Sequence, residues 1–405
     1  MTGRWLRDAA GGLPATYWYL WAGLLINRLG AFAVLFLSLY LTEARDASPA
    51  RAGLVVGMYG VGGVAGTLLG GVLTDRWGRR RTLLAAHAAA AAVLVALAVS
   101  THLGVIAALV ALLGLAHSMP GPAFVAAIID VTPADRRSRA FNLQFWAFNL
   151  GMAGASLLAG LLAEQSFLAL FLVDAAATAL TTAIIAWKVP ETRPAHADAR
   201  AAGSMLTPLR DGVFLVFVLL TFVQALLNMQ NSTILPLAMA ADGLGASAYG
   251  LVVAVTGALI VAGQLFVPRL IDGRDKARVL ALSMAVFALG YAALAGADAL
   301  WAYLLCAVVW TLGAMIAAPP NAEINSELAP ALLRGRYQAV FYLVWPAAGF
   351  VAPALGGVSL QHLGGAHWLL VGLAGAAAAA GQLWAGPARA RRVAATAERT
   401  GTMVR

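Results

Sequence analysis

Long apolar runs follow one another along almost the whole chain, broken only by short polar, glycine- or proline-marked segments. A helix needs about 20 apolar residues to cross about 30 Å of hydrocarbon. Twelve runs meet that length: 16–41, 51–74, 82–100, 104–130, 139–163, 166–188, 211–239, 247–271, 277–296, 300–327, 336–362 and 366–386. The one long polar interruption, 189–210, contains Pro190, Pro194 and Pro208 among scattered charges. The pattern predicts an all-α membrane protein with twelve transmembrane helices. A six-helix bundle is expected over 1–188, a cytoplasmic linker over 189–210, a second bundle over 211–386 and a basic, exposed tail over 387–405.

Composition agrees. Hydrophobic residues make up 61% of the 405 and charged residues 11%, whereas a soluble domain carries roughly a quarter charged. The net charge of +9 would suggest nucleic acid in a soluble protein, but its distribution argues for topology instead. With both termini placed in the cytoplasm, all 27 Lys and Arg lie on that side except Arg45 and Arg51 on the other and Arg28 within a span. This is the positive-inside pattern, and no nucleic-acid partner is expected. The run from Tyr17 to Leu41 is too long for a signal peptide and carries Asn27 and Arg28, so it reads as the first span. Cys306 is the single cysteine, so no intrachain disulfide is possible.

The halves repeat. The shift that carries Gly53 onto Gly250 also carries Gly60 onto Gly257, Asp75 onto Asp272, Pro122 onto Pro319, Pro133 onto Pro330 and Arg137 onto Arg334. Asp130 falls on Glu327, which keeps the charge. Six spans separate the copies, so the halves share one orientation. Parallel repeats of this kind place a binding site between them near mid-membrane.

The segment Gly71-Val72-Leu73-Thr74-Asp75-Arg76-Trp77-Gly78-Arg79-Arg80 resembles the G-x-x-x-D-R-x-G-R-R loop signature of the major facilitator superfamily. Asp130 to Arg137 and Glu327 to Arg334 resemble its acid-x-x-Pro-x-x-x-Arg signature. Phe145 to Gly151, and Gly335-Arg336-Tyr337 with Pro353 to Gly357, resemble spans 5 and 11 of the drug/proton antiporter branch. The resemblance covers about 16–386. It implies alternating access, with Gly71, Asp75, Arg76, Gly78, Arg79, Arg80, Asp130, Arg137, Asp272, Glu327 and Arg334 acting in gating. The physics is direct. Asp75 ends span 2 where span 11 begins, and a helix N-terminus carries about half a positive charge. Arg79 or Arg80 can pair with Asp130, and Lys276 or Arg278 with Glu327. Glycines spaced by four in span 2 (Gly53 and Gly57; Gly62, Gly66 and Gly70) provide a surface for close helix packing. Two departures stand out. Span 5 keeps only Gly160 of the branch's Gly-Pro-x-x-Gly-Gly ending, and Gln144, Ser232 and Ala314 stand where some proton-coupled relatives carry carboxylates.

Ionisable groups inside spans are functional candidates. Arg28 could bind an anion. Asp174 and Glu323 are the candidate proton-coupling sites; Glu323 lies one turn from Glu327, where like-charge repulsion favours proton uptake. His117 is expected to be a packing histidine. Candidate cavity-lining residues are Asn27, Gln144, Trp146, Asn149, Gln224, Asn228, Asn231, Tyr342 and Trp345. No P-loop, metal-ligand spacing or nucleophile elbow is present, so neither an enzyme nor a cofactor is expected. The expected function is export of a small amphipathic or drug-like molecule from the cytoplasm across the inner membrane by alternating access, coupled to protons, by a monomer. The alternatives are a facilitator or importer of a small, possibly anionic metabolite, and a receptor on a transporter fold that moves nothing.

Overall fold

The computed structural model describes residues 12–133, 136–193, 207–263, 266–330 and 333–402. Among the described residues, twelve helical segments are long and apolar enough to cross a membrane. Span 1 is split into α1 (Ala15–Leu29) and α2 (Ala33–Glu43). Spans 2 and 3 are α3 (Pro49–Arg76) and α4 (Arg79–Val99). Span 4 is split into α5 (Leu103–Ser118) and α6 (Pro120–Val131). Spans 5 and 6 are α7 (Arg137–Gln165) and α8 (Phe167–Lys188). Span 7 comprises α9 (Gly212–Thr233) and the short α10 (Leu235–Ala241). Span 8 comprises α11 (Ala246–Gly263) and α12 (Val267–Ile271). Spans 9 to 12 are α13 (Lys276–Ala293), α14 (Leu300–Leu328), α15 (Arg334–Leu363) and α16 (Ala366–Thr402).

Helix starts follow local chemistry. Ser48 accepts from the Arg51 N–H with Pro49 at the first helical position, and Asp275 and Asp211 accept from the Arg278 and Phe214 N–H groups. These caps satisfy donors that have no intrahelical acceptor. The breaks in spans 4 and 7 precede Pro120 and Pro236, each of which removes an N–H and crowds the preceding turn. The break in span 1 contains no proline. Gly30 stands there against α8, where a Cβ would fall 2.2 Å from the Ala177 Cβ.

The final helix differs from the expected exposed tail. It runs without interruption past Pro387 to Thr402. Arg389 is buried, and its guanidinium donates to the Gln382 side chain and backbone at 2.8 and 2.9 Å. Arg392 pairs with Asp211 at the start of α9 at 3.5 Å. The Arg389–Gln382 contacts lie within the helix, and the Arg392–Asp211 pair holds its polar end to the start of α9.

The two bundles meet along two seams. α3 packs on α15, and α7 on α11. Both seams lie toward the end opposite the arginine-rich loops. A Cβ at Gly53 would lie 2.1 Å from the Pro353 carbonyl oxygen, one at Gly60 2.3 Å from the Phe350 nitrogen, and one at Gly250 2.5 Å from the Ser156 carbonyl oxygen. Only bare glycine permits such backbone approach. The glycines of α3 serve two faces. Gly53, Gly57 and Gly60 meet α15, whereas Gly62 and Gly66 meet Ala111 and Leu115 of α5, and Gly70 meets Met119 just beyond it, all within the first bundle. An apolar cluster spans both bundles at this closed end, with Phe36 edge-on to Tyr249 at 5.3 Å. Toward the arginine-rich end the α3–α15 seam stops. Among the described residues, nothing outside its own helix lies within 4 Å of a Cβ placed at Gly71.

Candidate functional site

A cavity of about 440 Å³ lies against the first bundle and reaches the second at Ser232. Its lining runs from Val34, Leu35 and Met152 to Phe124, Val125 and Ile185, in the direction of the arginine-rich end. Most of the wall is apolar. Its polar members are Asn27, Arg28, Tyr59, His87, His117, Gln144, Asp174, Thr181 and Ser232.

The break in span 1 organises this wall. It leaves α2 without a side-chain cap of its own. Asp174 of α8 supplies one from across the bundle, its Oδ2 accepting from the Ala33 N–H at 3.1 Å. A carboxylate at a helix N-terminus also interacts favourably with the macrodipole. Asp174 is 1% exposed, and its other oxygen has no hydrogen-bond partner. Arg28 sits in the last turn of α1, on the other side of the break. Its guanidinium carbon lies over the Phe148 ring at 4.4 Å from the centroid, and its Nε has no hydrogen-bond partner. No ion pair joins Arg28 to Asp174. Asn27 donates to Thr178 at 3.1 Å, and Thr181 donates to the Gly23 carbonyl at 3.0 Å, so α1 and α8 are held together along the cavity. Tyr59 and His117 are hydrogen-bonded through Nδ1 at 3.2 Å. His87 Nδ1 lies 2.8 Å from the Leu83 carbonyl, which fixes the proton on that nitrogen and leaves Nε2 as the other ring face.

The structure divides the residues singled out from the sequence. Asn27, Arg28, Gln144 and Asp174 line the cavity. Trp146, Asn149, Gln224, Asn228, Asn231, Tyr342 and Trp345 are not among its lining residues. Phe148, two residues after Trp146, provides the aromatic face instead. Gln224 is buried and accepts from Asn321 at 2.7 Å, so it joins α9 to α14 inside the second bundle. From span 7 Ser232, not Gln224, Asn228 or Asn231, reaches the cavity. Glu323 lies outside it, with its side chain 58% exposed, at the arginine-rich end of α14; there Lys276 pairs with Glu323 at 2.9 Å and with Glu327 at 2.6 Å. The like charges of Glu323 and Glu327 are thus bridged by a shared cation. Asp174 is left as the carboxylate within the cavity.

At the arginine-rich end Arg79 Nε pairs with Asp130 Oδ2 at 2.9 Å, and Arg80 donates to the Ala186 carbonyl at 2.6 Å. Gly78 has φ +99°, a conformation that favours glycine. Its turn lets Glu191 from beyond α8 accept the Arg79 N–H at 2.9 Å, capping α4. Arg193 donates to the Arg76 carbonyl at 3.0 Å, and Arg137 to the Ile129 carbonyl at 3.3 Å. Asp75 and Asp272 are exposed, and Asp75 makes no ion pair or hydrogen bond among the described residues. Arg334 begins α15, and its side chain lies outside the described residues.

Sequence reasoning passed over Tyr59, His87, Phe148 and Glu191. His87 carried a usable signal, an ionisable residue inside the alanine-rich third span. Tyr59, Phe148 and Glu191 carried none, because their roles depend on which helix they face.

Two six-helix bundles around a cavity with a half-buried guanidinium and a buried carboxylate, sealed at one end, define a secondary-transporter fold. The chain belongs to the Major Facilitator Superfamily, whose model matches residues 20–353 and again 216–402, the second match beginning within the second bundle. It is 30% identical over 354 residues to YhjO of Bacillus subtilis (strain 168), an uncharacterized MFS-type transporter, covering 84% of this chain and 85% of that one. It is 25% identical over 320 residues to the multidrug resistance protein MdtH of Edwardsiella ictaluri (strain 93-146), covering 76% and 78%. A POT family transporter crystallised with 5-aminolevulinic acid has the same fold, with a TM-score of 0.78 at 12% identity, covering 94% of this chain and 98% of that one. The protein is therefore a multi-pass transporter-family membrane protein and not an enzyme.

Proposed function

We propose that the protein exports a small amphipathic molecule from the cytoplasm by alternating access, coupled to protons. The observation that carries this reading is the cavity itself: mainly apolar walls, one guanidinium and one carboxylate, closed at one end by backbone-close glycine seams. The positive-inside distribution of Lys and Arg supports an orientation with the arginine-rich end and both termini in the cytoplasm. The conformation described is then the inward-facing one. In the outward-facing one the seams part, and Asp75 meets the N-terminus of α15. Asp174 is the proton site of this reading, because it alone among the candidate carboxylates lies in the cavity. The name of the relative MdtH, a multidrug resistance protein, supports this reading. A second reading, a carrier of a small anionic metabolite, is favoured by Arg28, which faces the cavity without an ion pair.

The test is accumulation of a panel of amphipathic compounds in efflux-deficient cells with and without the protein, each repeated with a protonophore. Lowered accumulation of a compound, changed by the protonophore, supports proton-coupled export. Lowered accumulation that the protonophore leaves unchanged removes the coupling. Raised accumulation favours the second reading, and no effect on any compound overturns export of this class.

A further inference from the structure

Arg28 and Asp174 line one cavity from two helices, and each keeps an unused polar atom. With both ionised and no cargo present, their charges cancel. We propose that the cavity takes up a small organic anion at Arg28 and a proton at Asp174 together, so that the two travel in the same direction. This rests on the cavity being the transport site and develops the second reading, the anion carrier, by fixing the charge of the cargo and the sign of its coupling. With the proton gradient directed inward, movement in one direction drives uptake, whereas proton-driven export needs exchange.

The argument is one of charge. An anion paired with Arg28 leaves the cavity with one uncompensated negative charge in a mainly apolar surround, which is costly. One proton on Asp174 restores neutrality. In reverse, protonating Asp174 removes the carboxylate that competes for the field of Arg28. Each ligand raises the affinity of the other by the same factor, as linkage requires. Proton exchange for cargo needs the opposite sign, which a cationic cargo at Asp174 would give, but Arg28 repels such a cargo.

The groups around Asp174 support the assignment. Arg28 of α1, Tyr59 of α3, His87 of α4 and His117 of α5 line the same cavity. The start of α2 contributes backbone N–H groups, that of Ala33 at 3.1 Å with Phe32 beside it, and α8 contributes the Thr178 hydroxyl. None of these is a second carboxylate. The Phe148 ring under the guanidinium and the Met152 side chain beside it suit an apolar or aromatic body. The cargo class is therefore a monocarboxylate with an apolar body, small enough for about 440 Å³.

The test uses the full-length protein in lipid nanodiscs and three matched probes: hydrocinnamate, its amide and the corresponding primary amine. Binding is followed by calorimetry in buffers of different ionisation heat, which reports protons taken up or released. Hydrocinnamate is expected to bind tightest and to bring in about one proton per anion, since a single carboxylate titrates. Arg28→Gln should weaken the anion about thirtyfold while sparing the amide, and Arg28→Lys should retain most of the affinity. Asp174→Asn should bind the anion more tightly and take up no proton. The wild-type proton count stands even if that variant does not fold. Proton release on binding, preference for the amine, an unchanged anion affinity in Arg28→Gln, or no binding of hydrocinnamate would each overturn the proposal. If hydrocinnamate fails while a non-acidic amphipath is transported in cells, this inference falls and the transport reading stands.

Discussion

Replacing Gly60 with alanine tests whether the glycine seam belongs to one conformational state. A Cβ there would lie 2.3 Å from the Phe350 nitrogen, 2.5 Å from the Gly349 carbonyl carbon and 2.5 Å from the Pro346 carbonyl oxygen. All three are backbone atoms of α15, so no side chain can rotate away; the helices must separate. Overpacking of this kind costs about 1–3 kcal/mol, roughly a five- to 150-fold change in an equilibrium constant. Because the contact joins the two bundles, that cost falls on the conformation closed at this end and shifts the population away from it. Gly62→Ala is the control. Its Cβ would meet the Ala111 carbonyl oxygen at 1.8 Å, inside the first bundle, so it penalises both states alike. The assay is spin-label distance measurement with the lone Cys306 replaced by serine and labels at Arg51 and His362 across the closed end, then at Arg81 and Arg274 across the open end. Gly60→Ala should lengthen the first distance and shorten the second. Gly62→Ala should lower the melting temperature without changing either. Unchanged distances in Gly60→Ala would refute the idea that the seam opens during transport.

Three further outcomes follow from particular contacts. Glu191→Ala removes an acceptor shared by the Arg79, Thr192 and Arg193 N–H groups, at 2.9, 3.1 and 3.1 Å; loss of the cap on α4 should destabilise by about 0.5–2 kcal/mol in thermal unfolding, and an unchanged midpoint would show the cap to be idle. Asp75→Asn should leave cargo binding in the described conformation intact, since Asp75 has no partner there among the described residues, yet slow counterflow in proteoliposomes; wild-type counterflow would remove Asp75 from the gate. Truncation after Gly386 deletes the Arg389–Gln382 and Arg392–Asp211 contacts and should lower stability by about 1–3 kcal/mol, which denaturant unfolding would detect; no change would make the helical tail dispensable.

The architecture was largely legible because lipid imposes one rule on every span, an apolar run of sufficient length. The twelve runs and the repeat needed nothing beyond counting and alignment. Arg28 and Asp174 were legible for the same reason, since an ionisable side chain stands out against such runs. The neutral polar residues were not. Gln224 and Asn228 look equally suited to a cavity, but helix rotation decides which way each points, and Gln224 turns to Asn321. The break in span 1 was hidden because it depends on Gly30 meeting Ala177 and on a cap supplied from α8, both contacts remote in sequence. Glu323 misled through its spacing from Glu327. Lys276, far away in the chain, resolves the repulsion that the spacing implied.

The repeat keeps the ends of the helices alike and lets their middles diverge. Asp75 and Asp272, Pro133 and Pro330, and the acids at Asp130 and Glu327 are matched between halves, each acid of the last pair holding a cation. The same shift carries Tyr59 onto Thr256, His87 onto Met284 and His117 onto Ala314. Span 7 has no charged residue between Asp211 and Asp242, and α16 has none between His367 and Arg389. The two requirements differ physically. Rocking needs both bundles to present interfacial charges, so symmetry is useful at the ends. A single cargo needs a single charged set, and a second buried set without a ligand would leave charges desolvated at several kcal/mol each. Among the described residues the cavity takes only Ser232 from the second bundle. Substitutions that alter the charge preference for cargo should therefore concentrate in spans 1 to 6, whereas changes at Gln224 or Asn321 act on the stability of the second bundle and leave that preference in place.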